Sequence, residues 1–287
     1  MRIGINTLLL VWPFTTRSAR LFRKIKGWGF DLVEIAIGDP SDLDPAAVRR
    51  ELDKAGLGCS ICGILGKDRD LRGDAAQQRN ALNYLKAVID QAEILGARVV
   101  AGPLYSAVGR AEAVAPIDRK KQWRTVVKNL RQIGAYAARR NVRLCIEPLN
   151  RFETDMINTA EQAVQLAEDV NSPAVGVMLD TFHMNIEEKH PAAAIRRAGR
   201  LLSHMHTCGS DRGTPGNDHI DWGSIAKALC QVRYDGDLVI ESFSTRVEVI
   251  ARAAAVWRKF EPSQEEIATK GLKFLRRTFG GKANRRV

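Results

Sequence analysis

Four residues able to bind a metal or move a proton stand at the ends of short apolar runs. Glu147 follows "LCI" (144–146), Asp180 follows "VML" (177–179), His206 sits in "SHMHT" (203–207), and Glu241 follows "LVI" (238–240). An ionised carboxylate is costly to bury unless something positive faces it. Three carboxylates gathered around one imidazole would repel each other or take up protons, and a divalent cation would resolve the conflict. One nitrogen and three oxygens make a mostly hard donor set. That set suits Mn²⁺, Mg²⁺ or Co²⁺, with positions left open for substrate or water. A structural zinc site would more often use sulfur and nitrogen in a closed tetrahedron. Taken singly, each residue has a plainer role, because strand-end acids also cap helices or pair with arginines, and Arg151 or Arg212 could serve. His204 and His206 alternate with Met205 and so point the same way. His206 is nearer the rim and is the better ligand, while His204 reads as a satisfied histidine one layer deeper. His190 reads as a solvated loop residue, and His219 fits either role.

Something must gather these residues. Short β-branched runs alternate with longer amphipathic stretches along the chain. Strands are expected at 2–7, 31–36, 58–64, 98–102, 142–147, 174–180, 202–207 and 237–242. Helices are expected near 16–28, 44–56, 74–95, 115–141, 159–170, 191–201, 222–232 and 245–279. Thr159 with Gln162, Asp221, and Ser263 with Glu266 after Pro262 supply helix starts. Eight strand–helix units in this length predict an α/β fold, a single (β/α)8 TIM barrel over residues 1–280 with a frayed basic tail at 281–287. A doubly wound open sheet is the main alternative, but "INTLLLVWP" follows the first strand where that fold carries a glycine-rich turn. A barrel builds its site at the C-terminal ends of its strands. The last four strands bring Glu147, Asp180, His206 and Glu241 there in turn. The polar, turn-rich loop 208–218 lies at the same rim.

Composition narrows the function classes. The chain has 287 residues, 45% of them hydrophobic, enough for a large core. No apolar run reaches the roughly 18–20 residues of a membrane helix. "MRIGINTLLLVWPF" reads as a first strand and loop rather than a leader. A soluble, cytoplasmic protein without membrane partners is expected. The net charge is +11, but residues 270–287 hold seven basic residues and no acid, leaving +4 for the rest. That distribution describes a solvated helix face and tail rather than a nucleic-acid surface. The five cysteines are widely spaced, and Cys59 and Cys62, three apart on a strand, point to opposite faces. Neither a disulfide framework nor a C-x-x-C metal site is expected.

The stretches "IEPLNRFE" (146–153), "LDTFHMNIEE" (179–188), "HMHTCGSDRGTPG" (204–216) and "VIESF" (239–243) resemble the ketose 3-epimerases of the xylose isomerase-like barrel superfamily. The resemblance covers nearly the whole chain. It implies metal binding by Glu147, Asp180, His206 and Glu241, with Glu147 and Glu241 as the catalytic pair. It also implies that Glu153, His183 and Arg212 grip substrate oxygens near C1 and C2. Trp12 and Phe14 stand either as an apolar wall for the distal end of the sugar or as core. The implied activity interconverts C3 epimers of free ketoses: D-allulose and D-fructose, D-tagatose and D-sorbose, or L-ribulose and L-xylulose. It calls for a divalent metal, Mn²⁺ foremost, and no nucleotide cofactor, in a homodimer or homotetramer. The chain departs from the family at Gly209 and Ser210, where members commonly carry Glu-Asn. Aldose–ketose or hydroxypyruvate isomerisation at the same site is the nearest rival. A metal-dependent abasic-site nuclease is a remote one, short of histidine ligands. A glycosidase using the same two glutamates would survive chelation.

Overall fold

The computed structural model describes residues 1–280; the tail expected at 281–287 lies outside them. Eight parallel strands close into a barrel in chain order. They are β1 (Ile3–Asn6), β2 (Leu32–Ile37), β3 (Gly58–Gly63), β4 (Val99–Gly102), β5 (Arg143–Ile146), β6 (Val175–Asp180), β7 (Leu202–His206) and β8 (Leu238–Ile240). Each coincides with an expected strand to within one or two residues at either end. Around them run α1 (Leu21–Trp28), α2 (Pro45–Ala55), α3 (Ala75–Leu95), α4 (Pro116–Ala138), α5 (Ala160–Val170), α6 (Thr181–Glu187), α7 (Pro191–Ala198), α8 (Trp222–Gln231), α9 (Glu248–Ala253) and α10 (Gln264–Phe279). No described helix is long and apolar enough to cross a membrane.

Side chains alternate along each strand. Outward residues such as Ile5, Val33, Ile35, Ile61, Val100, Leu144, Leu179 and Met205 join the helices in the main apolar core. The inward set is mostly small or polar, with Met178 and Val239 among its apolar members. Asn6 lies opposite Glu34, Glu34 opposite Ser60, and Met178 opposite His204. Cys59 packs in the outer core and Cys62 in a separate cluster at the mouth, so the pair faces opposite ways as expected. Both cysteines are free.

Two helical expectations need correction. The stretch 245–279 is two helices, because residues 254–263 break it. Pro262 disfavours helix at Glu261, and Ala255 adopts a positive φ of 53°. Ser263 then caps α10 through Glu266 N–H. The short α6 was not expected. It is capped by Asp180 itself, whose Oδ1 accepts from Phe182 N–H at 2.7 Å.

Backbone detail aims the site. The register of β6 on β7 slips between Val177 and Met178, which sets Asp180 opposite His206 rather than Met205. Without the slip, the inward Asp180 would pair with an outward side chain. At the end of β4, Gly102 has φ +131°, and a Cβ there would lie 2.3 Å from Gly63 O. Its carbonyl accepts the Glu147 N–H at 3.0 Å, tying β4 to the first candidate ligand. Gly102→Ala combines backbone strain with overpacking and is expected to cost about 2–4 kcal/mol. Chemical denaturation will measure it; a loss indistinguishable from zero would show that the β4 end relaxes freely.

Candidate active site

The period of two carries the inward register past Cys145, Met178, His204 and Val239 to Glu147, Asp180, His206 and Glu241. All four residues are buried. One ligand atom from each lies within 4.8 Å of the others. His206 Nδ1 is 3.2 Å from Glu241 Oε2, 3.8 Å from Asp180 Oδ2 and 3.9 Å from Glu147 Oε1. It is aligned for a hydrogen bond with none of them, and Glu147 Oε1 likewise has no hydrogen-bond partner. Two orphaned buried atoms facing two further carboxylates form a hard donor set that fits a divalent cation.

Charge in this space is only partly balanced by the protein. Arg212 Nη1 donates to Asp180 Oδ2 at 2.5 Å and to Glu241 Oε2 at 2.9 Å. Asp180 therefore fills the plainer roles as well, capping α6 and pairing with an arginine. Burial raises the Glu147 carboxyl well above the usual range, and the Glu241 and Asp180 charges add to this against His206 and Arg212. Burial also pushes Glu241 upward, but His206 and Arg212 outweigh it and hold that carboxyl below its usual value. Two glutamates in one site thus differ in proton affinity, the pattern of paired acid–base groups.

Beside them the β5 and β7 loops form a polar wall. Both ring nitrogens of His183 face donors: Nδ1 meets the Asn150 backbone N–H at 3.0 Å and Nε2 meets Arg212 Nη2 at 2.8 Å. These contacts fix the ring and the guanidinium against each other. Burial, then Arg212 and His206, hold His183 well below its usual value and keep it neutral. Glu153 Oε1 accepts from Asn150 Nδ2 at 2.7 Å, and burial raises this carboxyl. Arg212 adopts φ +67°, a strained conformation for a non-glycine residue. Its backbone bonds to Gly209 O and Phe243 N–H hold it there, and its guanidinium stacks on Phe182 and Phe243.

An apolar cluster adjoins this wall through Phe243. Trp12, half-buried, packs at the mouth with Leu8, Ala36, Cys62 and Phe243. Its ring lies where a Cβ on Gly38 would be, 2.5 Å from the nearest ring carbon. Cys62 Sγ of the same cluster is 4.0 Å from Glu241 Oε1. Phe14, by contrast, belongs to the main core.

The other histidines separate clearly. His204 lies one layer below, with Nε2 2.7 Å from Glu34 Oε2. His219 bridges Asn185 and Ser210 at the rim, outside the four-residue cluster. His190 is exposed before α7. Sequence inspection missed Glu34, a fully buried acid in mid-β2. Its signal is the lone charge in "LVEIAI", where a parallel barrel strand otherwise reads as continuously apolar.

A family model described as "Xylose isomerase-like TIM barrel" matches residues 22–278. The chain is 33% identical over 280 residues to a Synechocystis sp. protein named probable ketose 3-epimerase, covering 97% of each. It is also 33% identical to the D-psicose 3-epimerase of Agrobacterium fabrum, covering 98% of this chain and 100% of that one. The solved structure of an L-ribulose 3-epimerase superposes with a TM-score of 0.92 at 32% identity, covering 99% of this chain and 96% of that one. With that barrel and that likeness over nearly its full length, the chain belongs to the xylose isomerase-like TIM barrel family and, within it, to the ketose 3-epimerases, which are carbohydrate isomerases.

Proposed function

We propose that the chain interconverts C3 epimers of free ketoses by two-base proton transfer at a divalent metal site. The observation that carries this is the convergence of Glu147, Asp180, His206 and Glu241 within 4.8 Å. A cation held by these four, Mn²⁺ in first place and Mg²⁺ or Co²⁺ next, would polarise the sugar carbonyl and offset the charge that develops as the C3 proton leaves. The candidate substrates are the pairs D-allulose/D-fructose, D-tagatose/D-sorbose and L-ribulose/L-xylulose. No nucleotide cofactor is required. The proposed setting is a cytoplasmic homodimer or homotetramer with no nucleic-acid or membrane partner.

The protein's own groups divide the work. Glu147 and Glu241 come from β5 and β8, at the two ends of the four-strand arc, so each addresses a different face of C3. One of the two removes the proton, and the other, protonated, donates from the opposite side. The roles exchange for the opposite epimer, through the sugar's cis-enediolate. Arg212 and His183, hydrogen-bonded to each other, hold oxygens near C1 and C2, with Glu153 beside them. Trp12 and its apolar neighbours take the distal carbons. Burial of both glutamates keeps bulk water from competing for the carbanion.

Glu147→Gln and Glu241→Gln are each expected to lower turnover by about 10²–10⁴-fold in a ketose-interconversion assay, this being the usual span for losing an acid–base group. Near wild-type activity in either variant would remove the two-base scheme. Turnover in deuterated water is expected to place deuterium at C3. Label mainly at C1 would point to aldose–ketose isomerisation instead. Chelation by EDTA is expected to abolish activity and Mn²⁺ to restore it; activity that survives exhaustive chelation contradicts a metal enzyme.

A further inference from the structure

Glu34 takes no part in the reaction just described, yet both of its carboxylate oxygens meet donors in the barrel interior. It is fully buried on β2. Its Oε1 accepts from Asn6 Nδ2 at 2.9 Å and lies 2.5 Å from His206 Nε2. Its Oε2 accepts from Ser60 Oγ at 2.9 Å and lies 2.7 Å from His204 Nε2, a close contact that is not well aligned. Glu34, His204 and His206 are near enough together to suggest a second metal site. Asn6 Nδ2, Ser60 Oγ and His206 Nε2 already face the carboxylate, however, so three of its roughly four lone-pair sites meet donors. The acid is an acceptor hub, not a ligand.

Its consequence falls on His206. A neutral imidazole carries one proton, and the nitrogen that carries it is set by what faces the ring. Glu34 Oε1 faces Nε2, so the proton belongs there. In the neutral ring that a cation would require, Nδ1 is then left with a free lone pair on the side facing Glu147, Asp180 and Glu241. The same hub reaches Glu241. Asn6 Nδ2 lies 2.9 Å from Glu34 Oε1 and 3.3 Å from Glu241 Oε1. His206 Nδ1 is 3.2 Å from the other Glu241 oxygen. Both oxygens of that glutamate therefore border groups that Glu34 holds.

We propose that Glu34 is a positioning residue that fixes the His206 tautomer for cation binding through Nδ1 and, through Asn6 and His206, sets the orientation of Glu241. It acts without touching cation or sugar. The assignment rests on the cation-binding role proposed for the four-residue cluster. An outer carboxylate behind a ligating histidine typically contributes 10–100-fold to metal affinity.

The test reads metal binding rather than turnover. Mn²⁺ titration by calorimetry of the full chain, wild type against Glu34→Gln, is expected to show a dissociation constant about 10–100-fold weaker in the variant. The amide keeps the side-chain shape but offers one acceptor oxygen to the donors that now share two, and it removes the charge behind the imidazole. Ser60→Ala, which strips one bond from the far oxygen only, is expected to shift affinity much less. Equal affinity in wild type and Glu34→Gln would overturn the assignment, as would an equal loss in Ser60→Ala. Should Glu34→Gln fail to fold, nitrogen-15 NMR of the wild type loaded with Mg²⁺ decides. The His206 proton is expected on Nε2, and a proton on Nδ1 would refute the proposal. Wild-type protein with no affinity for Mn²⁺ or Mg²⁺ would overturn both this and the metal-dependent function. Normal wild-type binding with an unaffected variant would overturn Glu34 alone.

Discussion

The site is governed by the repulsion among three carboxylates brought into one buried space. Two unit charges 4 Å apart interact by about 4 kcal/mol even at an effective dielectric near 20. The fold must therefore bring positive charge or protons to Glu147, Asp180 and Glu241. Arg212 covers two of them, bonding both Asp180 and Glu241. Glu147 receives no such partner, and one of its oxygens is left without a hydrogen bond. The imbalance shows in the proton affinities. Glu147 rises because burial finds too little to oppose it, while the arginine-paired Glu241 is held down. His206 responds to the same field: burial disfavours its charge, but Glu241 and Glu34 outweigh this and raise it. A cation among the four would remove the need for these protons.

Holding such a cluster together demands departures from ideal backbone. The β6–β7 register slip turns Asp180 inward beside His206. The glycine at 102 lets β4 approach β3 while its carbonyl fixes the Glu147 amide. Arg212 sits at positive φ, anchored through Gly209 and Phe243. Arg212 is the strained one of the three, being a non-glycine residue at positive φ, and each serves one of the charged residues. Strain concentrated at a functional cluster is the expected pattern.

What sequence alone revealed follows the strength of its periodic signals. The strands were readable because apolar runs alternate with long amphipathic stretches. The four clustered residues were readable because a polar group ending an apolar run is conspicuous. Glu34 escaped because its signal is one charge inside a strand, and only the closed barrel brings β2 across from β7 to explain it. The break at residues 254–263 was half legible: Ser263 with Glu266 after Pro262 marks a helix start, but the amphipathic pattern on both sides hides the stop before it. There the backbone preference of Pro262 outweighs the periodicity. The seven-residue α6 is too short for periodicity to register, and its cap is the same Asp180 already assigned to the cluster. Trp12 was left between wall and core. It packs at the barrel mouth in the cluster containing Cys62, half-buried, and so partakes of both.

Two halves of the site rest on different supports. His206, Asp180, Glu34, Asn6 and Ser60 lie within strands, and Glu147 and Glu241 stand one residue beyond them. Hydrogen bonds run from Ser60 through Glu34 to Asn6 and Glu241, giving this half a rigid base. A buried polar column of this kind is tolerable only when nearly all its donors are matched, which ties it to a single geometry. Asn150, Glu153 and Arg212 instead stand on the loops after β5 and β7, and Trp12 on the loop after β1. Groups on strands keep reacting atoms in register, whereas loops can change without disturbing the barrel. Gly209 and Ser210 lie on the loop half, and Gly209 O accepts the Arg212 N–H. A change at either position would therefore bear on the placement of Arg212 before it reached the strand-borne groups.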